Sequence, residues 1–114
     1  MQIQFNSDSS VMGTDEVAQR IETSVREKLA RFEERLTRLE VHVHNNHRHT
    51  HGNDDKGCTI EARPRGGKPI GVTEHGPTVD AAARKAASTM AQRLTRLFGK
   101  ESKHRHDARP EKVM

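Results

Sequence analysis

The chain has 114 residues, 31% hydrophobic and 32% charged, with three Phe and no Trp or Tyr. That length bounds it at one domain, and so little apolar material leaves room only for a small core of modest stability. The net charge of +4 excludes an acidic protein and is unevenly held. Residues 1–56 carry 8 Lys/Arg against 10 Asp/Glu, and residues 57–114 carry 12 against 6.

The opening MQIQFNSDSS has no basic segment leading into an apolar run, so no secretory signal is expected. Within it Ile3 and Phe5 alternate with Gln2 and Gln4, which predicts a short strand over residues 2–5. A polar connection over 6–13 follows. Thr14 then stands where an N-cap belongs, with Asp15 and Glu16 at the positive helix end. Helix one is expected from Asp15 to Leu36, because Val17, Ile21, Val25, Leu29, Phe32 and Leu36 form one apolar stripe. Glu16–Arg20, Glu22–Arg26 and Glu27–Arg31 are spaced as surface pairs.

Strand two alternates cleanly over residues 39–44, with Leu39, Val41 and Val43 inward and Glu40, His42 and His44 outward. Residues 45–57 are polar throughout and read as a long loop. Strand three turns Cys58, Ile60 and Ala62 inward and Thr59, Glu61 and Arg63 outward. A hairpin turn centred on Gly66-Gly67 leads to a short fourth strand with Ile70 and Val72. Gly76 or Thr78 caps helix two, whose stripe is Val79, Ala83, Ala86, Met90, Leu94 and Leu97. Gly99 should end it, leaving residues 1–99 as the domain and 100–114 as a charged, disordered tail.

The order β-α-β-β-β-α predicts an α+β two-layer sandwich. A four-stranded mixed sheet is parallel at the first crossover and antiparallel at the hairpin, with both helices on one face. No apolar run approaches the roughly 18 residues of a membrane span.

Candidate chemistry is sparse. Lys85, Arg93, Arg96 and Lys100 fall within one quadrant of helix two, and no acid lies between Ala81 and Lys100. Such a row can track phosphates and release counterions, or simply be a solvated face. His42, His44, His47, His49 and His51 form a dense cluster whose alternative reading is a divalent transition-metal site, although the spacing matches no named zinc motif. The lone Cys58 excludes an internal disulfide, fits a reducing cytoplasm and reads as a buried hydrophobe. Gly66-Gly67-Lys68 has the wrong spacing for a P-loop. The outward strand residues are Gln, Glu, His, Thr and Arg, and the element order differs from that of an RRM, so any RNA binding should rest on phosphate and shape more than on base stacking. With no nucleophile–base or acid–base pair, an enzyme and a small-molecule substrate are not expected.

Four segments in this order carry a resemblance. They are the opening MQIQ, EKLARFEERLTRLEVHV, CTIEARPRGGKPIGV and DAAARKAASTMAQRLTRL. Over about residues 1–98 the chain resembles the ribosome hibernation promoting factor and ribosome-associated translation inhibitor family. The resemblance implies the fold reached above and no cofactor. It implies binding to the rRNA of the small ribosomal subunit at the decoding region, closing the tRNA and mRNA sites under stress or in stationary phase. By position it nominates Lys28 and Arg31 on helix one, and Lys85, Arg93, Arg96 and Lys100 on helix two, for rRNA contact. The family's acidic-Met-Tyr-Ala-Ala-Ile-Asp run reads Thr78 to Arg84 here, without the Tyr or the final Asp. The second, dimerising domain of long members is not among these residues, so pairing of ribosomes through it is not expected. The alternatives are a His-rich metal-binding protein and a stress-response adaptor on the same fold.

Overall fold

The computed structural model describes residues 1–7, 15–45 and 56–107, with backbone alone from 100 onward. The elements are β1 (Gln2–Ser7), α1 (Asp15–Lys28), a 3-10 helix (Ala30–Arg35), β2 (Leu36–Asn45), β3 (Lys56–Pro64), β4 (Ile70–Gly76) and α2 (Val79–Asp107). The sheet order is β1-β2-β3-β4. β1 runs parallel to β2, with Ile3 opposite Leu39 and Phe5 opposite Val41. The β2–β3 and β3–β4 pairs are antiparallel. The expected two-layer α+β sandwich is the fold observed. Among the described residues no helix is long and apolar enough to cross a membrane.

One core cluster joins the layers. Leu39, Val41, Val43, Cys58, Ile60 and Ala62 point from the sheet into Ile21, Val25 and Leu29 of the first helical segment and Ala83, Ala86, Met90 and Leu94 of α2. The alternation in β2 and β3 places these side chains on one face, and burial of that face is the main stabilising term. Alanine at 82, 83, 86, 87 and 91 is buried along α2. Such small side chains let the helix backbone settle close to its neighbours.

Helix one is shorter than the apolar stripe predicts. The α-helix stops at Lys28, and the stripe continues as the 3-10 helix. Leu29 and Phe32 are three apart and both buried, a spacing that three residues per turn keeps on one face. The Phe32 amide accordingly donates to the Leu29 carbonyl at 3.0 Å. Leu36 is already extended, at φ −115° and ψ 137°, and begins β2 rather than ending a helix. Leu36 and Leu39 are both buried although three residues apart, which strict alternation forbids. A register shift between Leu36 and Arg38 makes Thr37 the extra residue of a bulge, and its Oγ1 donates to the Arg63 carbonyl at 3.0 Å.

The hairpin is as expected. Gly66 has φ +71°, a conformation that costs a side chain-bearing residue strain. The Gly67 amide donates to the Pro64 carbonyl at 3.2 Å. Thr78, not Gly76, caps α2, because its Oγ1 accepts from the Ala81 amide at 3.0 Å. The expected stop at Gly99 is corrected, since α2 continues through it to Asp107. A mid-helix glycine costs only about 1 kcal/mol, too little to end a helix by itself. Phe98 is buried while Leu97 is only half-buried. Phe98 packs on Phe32 at 5.8 Å between ring centres. The expected Thr14 cap lies outside the described residues.

Candidate nucleic-acid interface

A groove runs along the outside of the helical layer, where α1 and α2 lie side by side. One stretch, about 560 Å³, is lined by Lys28, Arg31, Ser88, Ala91, Gln92, Thr95 and Arg96. The adjoining stretch, about 310 Å³, shares Lys28 and Ser88 and adds Ser24, Glu27, Arg84 and Ala87. The alanines form a low floor, and the hydroxyls and cations form the rim. Four cations therefore face one carboxylate, Glu27.

Arg31 is set in place before any ligand arrives. Its Nη2 donates to Thr95 Oγ1 at 2.6 Å, while Thr95 Oγ1 itself donates to the Ala91 carbonyl at 2.7 Å. The guanidinium also lies over the Phe32 ring, 4.8 Å from its centre. Among the expected surface pairs, Glu22–Arg26 is formed at 3.6 Å. Arg20 instead reaches across to α2, its Nε and Nη2 donating to the two Asp80 oxygens at 3.2 and 2.9 Å. That bidentate pair raises the guanidinium pKa, first through its hydrogen bond and then through charge, and pins the start of α2 to α1.

The nominated cations do not all line the groove. Lys28, Arg31 and Arg96 meet in the groove. Lys85 turns toward β4, where its Nζ is 4.0 Å from Glu74 Oε1 and Thr89 donates to Glu74 Oε2 at 2.8 Å. Arg93 is exposed two turns further along that side. Lys100 lies on the α2 backbone, and its side chain is outside the described residues. Sequence reasoning missed Arg84, which lines the groove beside Lys28. The wheel and the resemblance both nominate its neighbour Lys85, but neither says which cations of α2 stand beside α1. A second basic group, Arg35, Arg65 and Lys68, surrounds the hairpin turn. There Arg35 stacks on Phe98 at 4.0 Å, and Arg65 Nε donates to the Glu34 carbonyl at 2.8 Å.

The open sheet face is different in character. Arg38 pairs with Glu40, and Arg63 bonds Glu61 at 3.0 Å and reaches Glu40 at 3.6 Å, so these charges neutralise one another. His42 and His44 share this face, and His75 of β4 joins them. His47, His49 and His51 lie outside the described residues. Cys58 is buried, and burial pushes its thiol up to about 12, so it is no nucleophile at neutral pH.

The described residues thus build a small two-layer α+β sandwich whose paired helices present a groove rimmed by Lys28, Arg31, Arg84 and Arg96. The model of the Sigma 54 modulation protein / S30EA ribosomal protein family matches residues 10–102, and the chain belongs to this family of ribosome-associated, non-enzymatic proteins. Two solved structures share the fold. A ribosomal subunit interface protein from Coxiella burnetii superposes with a TM-score of 0.65 at 12% identity, covering 87% of this chain and 99% of that one. The Protein Y N-terminal domain of Thermus thermophilus gives 0.61 at 20% identity, covering 85% and 99%. No curated protein matches the sequence.

Proposed function

We propose that the protein binds the small ribosomal subunit by laying the α1–α2 groove on rRNA phosphates, and that in this pose it occludes the tRNA and mRNA sites of the decoding region. The observation that carries this reading is the convergence of Lys28, Arg31, Arg84 and Arg96 on one groove, with Arg31 held by Thr95. Lys85, Arg93 and Lys100 extend the contact along α2. A preset guanidinium loses little freedom on meeting a phosphate, and flexible neighbours add counterion release. Family membership supplies the ribosome as the partner and hence a cytoplasmic setting. Inhibition under stress or in stationary phase is the physiological form of this binding, because a factor over the decoding region and a translating ribosome exclude each other.

Sucrose-gradient sedimentation of stationary-phase lysate tests the reading. The protein should travel with small subunits or whole ribosomes at low salt and stay near the top at high salt. In a purified system it should compete with mRNA and initiator tRNA for small subunits. Retention of ribosome binding by an Arg31→Glu, Arg96→Glu double variant would remove the groove from the account. Binding without competition would remove the decoding region.

A further inference from the structure

The open face of the sheet carries a cluster that the groove does not use. His42 and His44 stand two residues apart on β2, their ring centres 5.9 Å apart. His75 on β4 meets His44 edge-on at 6.2 Å, although a whole strand separates them. The strand between is β3, and Gly57 is the residue opposite both, paired with His44 on one side and His75 on the other. A Cβ at position 57 would stand 2.2 Å from His44 Cε1 and 2.7 Å from its Nδ1. The His44 imidazole thus occupies the space a side chain would fill, lying across the β3 backbone. Strands are about 4.8 Å apart, so His44 and His75 start roughly 10 Å from each other and meet only because position 57 is bare.

Three imidazoles on one face, with Thr59 and Thr73 beside them bonded to each other at 2.9 Å, make a nitrogen-rich patch. The arginines of this face, Arg38 and Arg63, are engaged by Glu40 and Glu61. Two imidazoles on one cation hold their ring centres roughly 4.5–6 Å apart, given metal–nitrogen bonds of about 2.0–2.1 Å. The His42–His44 separation of 5.9 Å sits at the upper end of that range, and the His44–His75 separation of 6.2 Å lies just beyond it. Among the described residues no three His, Cys, Asp or Glu side chains already close around one point. Closing this set asks for a change of ring orientation at exposed His42 and at half-buried His44 and His75, which a cation must draw from their present contacts.

We propose that His42, His44 and His75 form a site for a divalent cation of the imidazole-preferring class, Cu²⁺, Ni²⁺ or Zn²⁺. His44 is the shared pivot, and water completes the coordination. The cation ties β2 to β4 across β3, on the face opposite the groove, and so leaves the groove free.

The test uses the full chain with His47, His49, His51, His104 and His106 replaced by Asn, and Cu²⁺ as the paramagnetic probe. Substoichiometric Cu²⁺ should broaden the backbone amides of Gly57, Thr59, Thr73 and His75 selectively in a ¹⁵N NMR spectrum. Zn²⁺ calorimetry should show His44→Asn and His75→Asn each weakening binding by at least about tenfold, since loss of an outer-shell partner alone costs roughly 10–100-fold. Gly57→Ala should weaken it too while removing no imidazole. The two Asn variants keep the conclusion independent of whether Gly57→Ala folds. Unchanged affinity in both, or broadening confined to other residues, would overturn the site.

Discussion

Thr95 shows how a neutral side chain can serve a charged one. It accepts from Arg31 and donates to its own helix at Ala91, so the guanidinium is aimed without an acidic partner that would cancel its charge. Thr95→Val keeps the shape and removes the bond. A net hydrogen bond is worth about 0.5–1.5 kcal/mol, so ribosome affinity should fall about 2–10-fold while the melting temperature barely moves. Equilibrium binding to purified small subunits measures it. Cys58 makes a prediction of the opposite kind. Its pKa rises from the ordinary 9.0 to about 12 because burial disfavours the thiolate. The unfolded chain then releases this proton near pH 9 and the folded chain only near 12, so this group contributes a loss of stability as pH rises through that window. Denaturant titrations of wild type and Cys58→Ala at pH 8 and 10.5 should diverge accordingly. Iodoacetamide should label the thiol only when the protein unfolds.

At the scale of elements, the connection from α1 to β2 does the most. A continuous α-helix from Asp15 would carry Leu36 onward along the helix axis and away from the sheet. The change to a 3-10 helix at Ala30, followed by the bulge at Thr37, delivers Phe32, Leu36 and Leu39 to one core. Phe32 is the hinge of this arrangement, packed on Phe98 and covered by the Arg31 guanidinium. Phe32→Ala should cost about 3–5 kcal/mol in chemical denaturation, a large share of the stability of so small a domain. It should also loosen Arg31. The Arg20–Asp80 pair sits at the other end of the helical layer, with the Arg20 side chain 58% exposed. Asp80→Ala should cost no more than about 1 kcal/mol, and less in high salt, because water screens an exposed pair. A hydrophobic stripe at helical spacing marked both helices. It could not distinguish an α-helix from a 3-10 continuation, since residues three apart satisfy both.

For the whole molecule, the two faces have separate characters. The helical layer gathers cations, and the open sheet face balances its own. Binding through the helical layer should therefore be strongly salt-dependent. Replacing Arg31 and Arg96 by Glu should lower the slope of log affinity against log salt by about 2, roughly one unit per lost phosphate contact. A Glu61→Gln, Glu40→Gln variant on the sheet face should leave that slope unchanged. Filter binding to small subunits across a salt series separates the two.

The element order, the inward residues of β2 and β3, the hairpin at Gly66-Gly67 and the basic second helix were all present in the one-dimensional pattern. Alternation and helical periodicity are local properties, and the chain writes them residue by residue. The pattern also held the cations that form the groove, but not their grouping. Lys85 and Arg96 share a flank of α2 but stand roughly 16 Å apart along it, and packing alone decides that Arg96 joins Lys28 and Arg31 while Lys85 turns to Glu74. The partnership of His44 with His75 is decided in the same way. They lie 31 positions apart, and only the register across Gly57 brings them together. Composition and periodicity were sufficient for the fold because burying an apolar face is insensitive to partners in detail. The site needed the tertiary structure because charge and coordination act over a few ångströms between residues that sequence distance keeps apart.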